Sequence, residues 1–395
     1  MPDTILSAIQ SPFQRLRDLI GDDKPAASPI DMTIGEPRHG VPPFAAEIIA
    51  RHWQSFGKYP PIAGIAELKA AIAEWLVRRY KIEPSLLDKE RNVLPLCGTR
   101  EGLVSALTIA AALKGSRRAA VLMPNPFYQA YYAAALTSGC EPVLLSATAE
   151  TGFLPDLAAL DAKLLERTAA FYIASPANPQ GAVASAAYIG NLIGLARQYG
   201  FFVFSDECYS EIYQNAPPCG ALEIAARTGC FDRVLIFNSL SKRSSAPGLR
   251  SGFIAGDSAF LTHYAQYRNV AAPQVPIPIQ YASAALWADE EHVTKSRALY
   301  RDKIALATET LGSLPGYAEP AGGFFLWLDL ADFGGGEVAA KTIWKGYGVK
   351  ILPGTYLAQP DASGGNPAKD YVRLALVDDL DMTREALIRI ASGLL

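Results

Sequence analysis

The sequence contains few of the residues that build metal sites or disulfide frameworks. It has 5 cysteines and 4 histidines among 395 residues. No two cysteines form a CxxC pair and no two histidines form an HxxxH pair, so no zinc site is expected. An odd number of scattered cysteines indicates free thiols in a reducing compartment. The composition therefore excludes a disulfide scaffold and predicts a protein without a metal centre.

The sequence also lacks an excess of charge of one sign and an uninterrupted hydrophobic span. Its formal net charge is −3, so neither nucleic acid nor an anionic membrane is an expected partner. Residues 119–140 carry no charge, but Pro124, Asn125, Pro126 and Gln129 interrupt them in a way that a spanning helix would not tolerate. The N-terminus shows no signal-peptide pattern. We therefore expect a soluble cytoplasmic protein.

The length of the chain predicts two domains, with segments interleaved in sequence. The first thirty or so residues, with three prolines, are expected to form an irregular arm. We place the arm and part of the small domain at 1–40, a large domain at 41–280 and a small C-terminal domain at 281–395.

Alternating short apolar runs and longer helical patterns predict an α/β fold. Runs such as FFVFS and VLIFN are apolar on both faces, which is typical of parallel or mixed sheets covered by helices on each side. After about residue 280 the pattern becomes that of a smaller α+β domain. The predicted strands are 92–97, 119–123, 142–145, 170–174, 201–205, 233–237 and 251–255, and the predicted helices are 64–80, 100–113, 127–138, 185–199, 289–312, 337–346 and 382–394.

The segment SLSKRSSAPGLRSG at 239–252 is the first candidate for chemistry. Lys242 follows an apolar strand in a hydroxyl-rich setting, where a lysine can lose its proton and attack an aldehyde. Ser239, Ser241 and Arg250 are donors of the kind that bind phosphate. A surface lysine in a solvated loop is the alternative.

Two further segments carry polar residues at strand ends. In SDECYSEIY, Asp206 closes an apolar strand, and a buried carboxylate there could keep a pyridine nitrogen protonated. Tyr209 and, in SPANPQG, Asn178 could both donate to an oxygen on the same ring. The alternatives are an aspartate that caps a helix and an ordinary Asn-Pro turn.

Three weaker signals complete the set. LCGTREGL opens a helix at Gly98, Thr99 and Arg100, whose backbone N–H groups could bind phosphate; no GxGxxG motif is present, so a dinucleotide site is disfavoured. Tyr128 could stack on a planar cofactor, or be an ordinary core or surface tyrosine. Arg373, inside the apolar run YVRLAL, could bind a substrate carboxylate or form a structural ion pair.

In this order and at these spacings, the segments resemble the class I aminotransferases of fold type I, the aspartate aminotransferase superfamily. IGEP (34–37) and YPPIAG (59–64) extend the resemblance to about nine tenths of the chain. The family turn that usually reads as Asn-Pro-Thr-Gly departs at Gln180. The resemblance implies a large cofactor-binding domain with a seven-stranded, mostly parallel sheet in an α/β/α sandwich, a smaller α+β domain, and pyridoxal 5'-phosphate as the cofactor.

The resemblance also implies a role for each candidate residue. Lys242 would hold the cofactor as a Schiff base and move the substrate's α-proton, while Asp206 would pair with the ring nitrogen. Tyr59 would reach the phosphate of the neighbouring subunit, which implies a homodimer with shared active sites. The remaining roles are the ring oxygen for Asn178 and Tyr209, ring stacking for Tyr128, and the phosphate for Gly98, Thr99, Arg100, Ser239, Ser241 and Arg250. Arg373, Gly35 and Asn178 would bind the substrate, and Tyr209 would be catalytic together with Lys242 and Asp206.

Within this superfamily, the Lys-Arg-Ser-Ser run that begins at Lys242 is most similar to the bacterial succinyldiaminopimelate aminotransferases of lysine biosynthesis. The expected reaction is ping-pong transfer from N-succinyl-LL-2,6-diaminopimelate to 2-oxoglutarate. Charge complementarity suggests Arg38, Lys58, Arg243 and Arg268 as candidates for binding the distal carboxylates.

Other activities are compatible with the same residues. An aspartate, aromatic or alanine aminotransferase would keep the cofactor, and a β-lyase or a decarboxylase would keep the fold. A regulator with an aminotransferase-like domain is disfavoured by the charge and by the lack of room for a DNA-binding segment.

Overall fold

The computed structural model describes residues 10–116, 118–361 and 364–395. At its centre is a seven-stranded sheet in the order β2-β8-β7-β6-β5-β3-β4. Strand β8 is antiparallel to both its neighbours, and all other pairs are parallel. The predicted α/β class with a mostly parallel sheet is therefore confirmed. The strands are β2 (Val93–Leu96), β3 (Ala120–Asn125), β4 (Glu141–Ser146), β5 (Thr168–Ala174), β6 (Phe202–Asp206), β7 (Val234–Ser239) and β8 (Gly252–Gly256).

Successive side chains of the central strands point to opposite faces of the sheet, and this divides the core into two layers. In β5, Phe171 and Ile173 belong to the apolar cluster that contains Trp75, while Tyr172 belongs to the cluster on the other face, with Tyr131. Every residue of β5 is buried because helices cover both faces of the sheet. This explains why these strands lack a polar face in the sequence.

Helices from the first three quarters of the chain surround this sheet. Those at the predicted positions 64–80, 100–113, 127–138 and 185–199 are present within two residues at each end. They are α2 (Phe44–Arg51), α3 (Ala66–Tyr80), α4 (Lys89–Asn92), α5 (Thr99–Lys114), α6 (Gln129–Thr137), α7 (Ala162–Arg167), α8 (Ala186–Tyr199), α9 (Ala221–Ala226), α10 (Leu240–Arg243), α11 (Ser258–Ala271) and α12 (Ile277–Ala288).

The C-terminal part of the chain has its own sheet and its own apolar cluster. An antiparallel sheet in the order β11-β12-β9 packs against three helices. The elements are α13 (Glu291–Leu311), β9 (Phe325–Asp329), α14 (Gly336–Tyr347), β10 (Val349–Lys350), β11 (Leu352–Pro353), β12 (Tyr371–Ala375) and α15 (Leu380–Leu394). None of the helices in the described part of the chain is both long and apolar enough to cross a membrane.

The N-terminal segment joins this smaller sheet region. Strand β1 (Ile30–Asp31) pairs in parallel with β10, at the opposite end of the chain. This pairing supports, as a proposal, the assignment of the segment up to residue 40 to the arm and small domain; residues 1–9 of the predicted arm lie outside the described residues, and the boundaries at 40 and 280 stay a prediction.

The expectation of an irregular N-terminal arm is wrong for residues 12–20. These residues form helix α1 (Pro12–Ile20), whose buried side chains are Pro12, Leu16 and Ile20. Proline is favourable at the first position of a helix because its missing N–H would have no partner there. The proline that suggested an irregular arm thus begins a helix.

Candidate active site

The site lies where neighbouring parallel strands end. Strands β5, β6 and β7 are adjacent and parallel, so their carboxyl ends share one edge of the sheet. Asp206 is the last residue of β6, Ser239 is the last of β7, and Asn178 follows β5. Crevices at the carboxyl ends of parallel strands are the usual binding sites of α/β proteins.

Lys242 projects into this crevice from the short helix α10. The Ser239 side chain caps the helix by accepting a hydrogen bond from the Ser241 N–H. The Lys242 Nζ donates to the Gly35 carbonyl oxygen at 2.5 Å. Burial lowers the pKa of Lys242 from 10.5 to about 8. The amine is therefore much closer to its neutral, nucleophilic form than an exposed lysine would be.

Asp206 forms the buried acidic end of the site. Its Oδ2 accepts from the Tyr131 hydroxyl at 2.8 Å and its Oδ1 accepts from the Cys208 N–H at 3.2 Å. Burial raises the pKa of Asp206, and the hydrogen bonds from Cys208 and Tyr131 oppose that rise. A carboxylate held this way can keep a proton on a ligand nitrogen next to it.

The start of helix α5 provides a group of anion-binding donors. Gly98 precedes the helix with a φ of 81°, and the first-turn N–H groups have no partner within the helix. Arg250 lies directly behind, because a Cβ added to Gly98 would be 2.4 Å from its Nη2. Its guanidinium donates to the carbonyl oxygens of Pro247 and Cys97.

Tyr128, just before helix α6, and Tyr131 form an aromatic wall of the crevice. The Tyr128 hydroxyl accepts from Arg100 Nε at 2.6 Å. Its ring meets Tyr131 edge to face, with centroids 5.5 Å apart. Tyr128 and Arg100, predicted separately as a stacking and a phosphate residue, are thus directly hydrogen-bonded.

Arg373 on strand β12 carries a buried positive charge without a carboxylate partner among the described residues. It is 5% exposed and donates to Asn178 Oδ1 at 3.0 Å and to the Thr33 carbonyl oxygen at 2.7 Å. Its Nε has no hydrogen-bond partner. Burial lowers the pKa of Arg373 to about 10, so the guanidinium is still charged at neutral pH. A buried, unpaired cation strongly favours binding of an anion.

The Phe325 ring contacts both Arg373 and the N-terminal segment at Gly35. Arg373 also lies over the Phe325 ring, with Cζ 4.3 Å from the centroid. A Cβ added to Gly35 would lie 2.5 Å from Phe325. Only glycine therefore fits between Lys242 and the Phe325 ring.

One cleft of about 1240 Å³ joins nearly all the predicted site residues. Gly98 lies just outside its lining, against Arg250, and Tyr59 is elsewhere on the surface with its side chain 100% exposed. The individual roles assigned to these residues stay predictions. The predicted residues that line the cleft are Gly35, Thr99, Arg100, Tyr128, Asn178, Asp206, Tyr209, Ser239, Ser241, Lys242, Arg250 and Arg373.

The expectation that Arg243 and Arg268 bind the distal end of the substrate is wrong. Arg243 is buried and donates to carbonyl oxygens at the end of α12 and to Glu290. Arg268 is buried and paired with Glu101. Arg38 forms a pair with Asp378, and none of the four predicted cations lines the cleft among the described residues.

Three cleft residues were missed by sequence reasoning. Tyr131 and Cys208 hold Asp206, and Arg15 on helix α1 lines the cleft beside Tyr356. Tyr131 could have been found from its spacing, because it lies three residues after Tyr128 in an aromatic segment. No group of three or more metal-ligating side chains occurs within the described ranges.

Comparison with known proteins identifies the family. Residues 27–386 match the family described as aminotransferase class I and II. The chain belongs to this family, whose members are generally dependent on pyridoxal phosphate, and it is an aminotransferase of fold type I that acts on small molecules.

Similar proteins cover almost the whole chain. The LL-diaminopimelate aminotransferase of Desulforudis audaxviator is 30% identical over 385 residues, which are 96% of this chain and 94% of that protein. The crystal structure of an aminotransferase from Neisseria meningitidis has 35% identity and a TM-score of 0.93, with both chains fully covered. The aminotransferase AspB from Helicobacter pylori has 35% identity and a TM-score of 0.89 over 98% of each chain.

Proposed function

We propose that this aminotransferase carries pyridoxal 5'-phosphate on Lys242 and transfers the amino group of a diaminopimelate-type donor to 2-oxoglutarate. The observation that carries the proposal is the buried Arg373, which has no carboxylate partner among the described residues and lies in the same cleft as the Lys242 amine. An amino acid substrate brings a carboxylate for Arg373 and an α-proton for the Lys242 amine to accept.

The residues of the crevice fit the cofactor. A phosphate ester suits the first-turn N–H groups of α5 together with Ser239, Ser241 and Arg250. A pyridine nitrogen suits the buried carboxylate of Asp206, and an aldehyde suits the amine of Lys242 with its lowered pKa. Asn178 and Tyr209 are available for the ring oxygen, and Tyr128 for the ring face.

When bound, the cofactor supplies an electron sink for the negative charge that develops at the substrate α-carbon. Arg373 and Asn178 hold the substrate carboxylate and thereby orient the α-hydrogen. Lys242 accepts that proton at Nζ and later returns it. Asp206 keeps the opposite end of the site negatively charged, with Tyr131 as its donor.

We further propose N-succinyl-LL-2,6-diaminopimelate as the donor, on the resemblance around Lys242. Unacylated LL-diaminopimelate is a second candidate, supported by the name of the relative from Desulforudis audaxviator. Both donors are long and end in a carboxylate, and the size of the cleft suits them. Both reactions would belong to lysine and diaminopimelate biosynthesis.

A cytoplasmic homodimer with shared active sites is part of the proposal. Tyr59 is fully exposed, and Trp53 and Phe56 close to it in sequence are also exposed. Exposed aromatic residues grouped on one surface are typical of protein interfaces. A partner subunit could therefore receive Tyr59 in its own phosphate site.

The first test is the absorbance spectrum of the purified protein, before and after each substrate. A band near the visible edge that bleaches with the succinylated donor and returns with 2-oxoglutarate would support the full proposal. Bleaching by LL-diaminopimelate alone would select the second candidate. Bleaching by glutamate, aspartate, aromatic amino acids or alanine, but by neither long donor, would overturn the substrate assignment. Release of pyruvate with ammonia, or of carbon dioxide, would indicate a lyase or decarboxylase.

The Lys242→Ala variant tests the proposed role of Lys242 in the mechanism. It should lose turnover while it still binds the cofactor through the phosphate site. Normal turnover in this variant would refute the proposed role of Lys242.

A further inference from the structure

The cleft contains a further arginine, Arg15, beside the segment 355–356. Helix α1 places Arg15 in the cleft lining, half-buried, with its Cζ 4.1 Å from the centroid of the Tyr356 ring. Its Nη1 donates to the Thr355 carbonyl oxygen at 3.2 Å. The described residues give Arg15 no carboxylate partner, so most of its donors are available to a ligand.

This arginine is held in position by its neighbours. The contact with the Tyr356 ring and the bond to Thr355 restrict the guanidinium, which lowers the entropy lost on binding a carboxylate. The Tyr356 carbonyl oxygen in turn accepts from Gln129 Nε2, next to Tyr128. A short chain of contacts therefore connects Arg15 with the aromatic wall of the site.

A carboxylate of the protein lies beside the same segment. Glu337 on helix α14 also lines the cleft, and its Oε1 accepts from the Thr355 hydroxyl at 2.9 Å. Arg15 and Glu337 are thus both anchored through Thr355, but they form no ion pair with each other. Two opposite charges kept apart within one cleft match a ligand group that has both an anion and an N–H donor.

We propose that Arg15 and Glu337 form the subsite for the distal end of the amino donor. Arg15 binds the distal carboxylate and Glu337 accepts from the neighbouring N–H. This inference rests on the proposed function. The distal α-carbon carries a carboxylate and a nitrogen with hydrogen in both candidate donors, as an ammonium in LL-diaminopimelate and as an amide N–H in the succinylated form. The arrangement replaces the distal cations expected from the sequence.

The experiment compares donors that differ by one group. L-Lysine is LL-diaminopimelate without the distal carboxylate, and L-2-aminopimelate is the same donor without the distal nitrogen. Where the wild type uses the succinylated donor, Nε-succinyl-L-lysine replaces L-lysine. We expect Arg15→Gln to lower kcat/KM for the diaminopimelate donor by about tenfold or more, and that for the lysine donor by less than about twofold.

Three variants complete the comparison. Arg15→Lys should recover part of the preference, because it keeps the charge but loses the fork of donors. Glu337→Gln should reduce the preference for LL-diaminopimelate over L-2-aminopimelate. Arg17→Gln is the matched control: Arg17 lies on the same helix, is exposed, and contacts Gln14 instead of the cleft. It should behave as the wild type.

Failure of this inference can be separated from failure of the proposed function. If the wild type uses a diaminopimelate donor but Arg15→Gln keeps the full preference over the lysine donor, the subsite is overturned and the function stands. If the wild type uses neither long donor, the function fails, and the subsite is judged by inhibition with pimelate and heptanoate. Stronger inhibition by pimelate that disappears in Arg15→Gln would support it, and equal inhibition by the two acids would overturn it.

Discussion

The amine of Lys242 is the residue whose chemistry depends most on its surroundings. Burial lowers its pKa to about 8; Arg373 and Arg100 act in the same direction, whereas Cys208 and Glu36 oppose them. The neutral fraction therefore rises as the pH passes 8. We expect the rate at which the cofactor-free protein captures pyridoxal phosphate to increase through this pH and then level off, as measured by absorbance after rapid mixing. A midpoint at the ordinary lysine value of 10.5 would contradict the burial argument.

The Tyr131 hydroxyl supports the ionised form of Asp206. Tyr131→Phe removes one of the donors that oppose the effect of burial, so the pKa of Asp206 should rise further. A hydrogen bond to a charged group contributes about 1.5–3 kcal/mol, and we expect kcat/KM to fall by about tenfold or more. Steady-state kinetics and the pH dependence of the cofactor spectrum would measure the two effects.

Tyr172→Phe is the matched control for this substitution. Tyr172 stacks on Tyr131 at 4.5 Å between centroids, but its hydroxyl donates to the Leu103 carbonyl oxygen. It should cost about 1 kcal/mol of stability and leave the spectrum unchanged. Equal spectral changes in both variants would show that packing, and not the hydrogen bond to Asp206, controls the site.

Residues at strand ends could be predicted from the sequence, whereas residues that act through packing could not. Asp206 and Asn178 follow apolar runs whose parallel pairing brings their ends together. Lys242 and Arg243 are adjacent on a helix of four residues, yet one faces the cleft and the other is in the core. So short a helix has no periodic pattern that would distinguish the two directions.

At the scale of elements, the start of helix α5 depends on Gly98. Gly98→Ala would force a side chain into a backbone with φ of 81° and against the Arg250 guanidinium. Because Arg250 would have to move, we expect cofactor affinity to fall by about tenfold, which corresponds to about 1.4 kcal/mol. Titration of the cofactor-free protein with pyridoxal phosphate would measure this change.

Gly115, at the other end of the same helix, offers the control. Its φ is 68°, and a Cβ there would meet open space. Gly115→Ala should therefore cost about 1–2 kcal/mol of stability through backbone strain alone and leave cofactor affinity intact. The same affinity in the two variants would mean that Arg250 does not depend on the space at Gly98.

Elements defined by local pattern were predictable, and those defined by distant pairing were not. Helix α1 has apolar residues at helical spacing after a proline, so the sequence held the information that the prolines obscured. Strands β1 and β10 have two residues each and pair across more than 300 positions. Two residues carry no detectable periodicity, and only tertiary structure brings these strands together.

At the scale of the whole molecule, the site depends on three distant parts of the chain. Lys242 donates to the carbonyl oxygen of Gly35. Arg373 donates to the carbonyl oxygen of Thr33 and to the side chain of Asn178. The segment 33–35 thus connects the large sheet with the small one. A ligand that neutralises Arg373 acts on the same contacts that hold these parts together.

The proposed sharing of sites between two subunits leads to a prediction about mixtures. Tyr59 is exposed in its own subunit, so its proposed role requires a partner. In a hybrid of Lys242→Ala and Tyr59→Ala chains, one site would carry both defects and the other would carry neither. An equal mixture should recover about a quarter of wild-type activity at limiting cofactor, because half of the randomly formed dimers are hybrids.

The control is a mixture of Lys242→Ala with Asp206→Asn. Both residues line one cleft within one chain, so every site in that hybrid has a defect and no activity should return. Light scattering of the wild type should give twice the chain mass of 42.4 kDa. Recovery in the first mixture alone would establish that Tyr59 acts across the interface. A dimer without recovery would mean that the subunits associate but that each site is complete within its own chain.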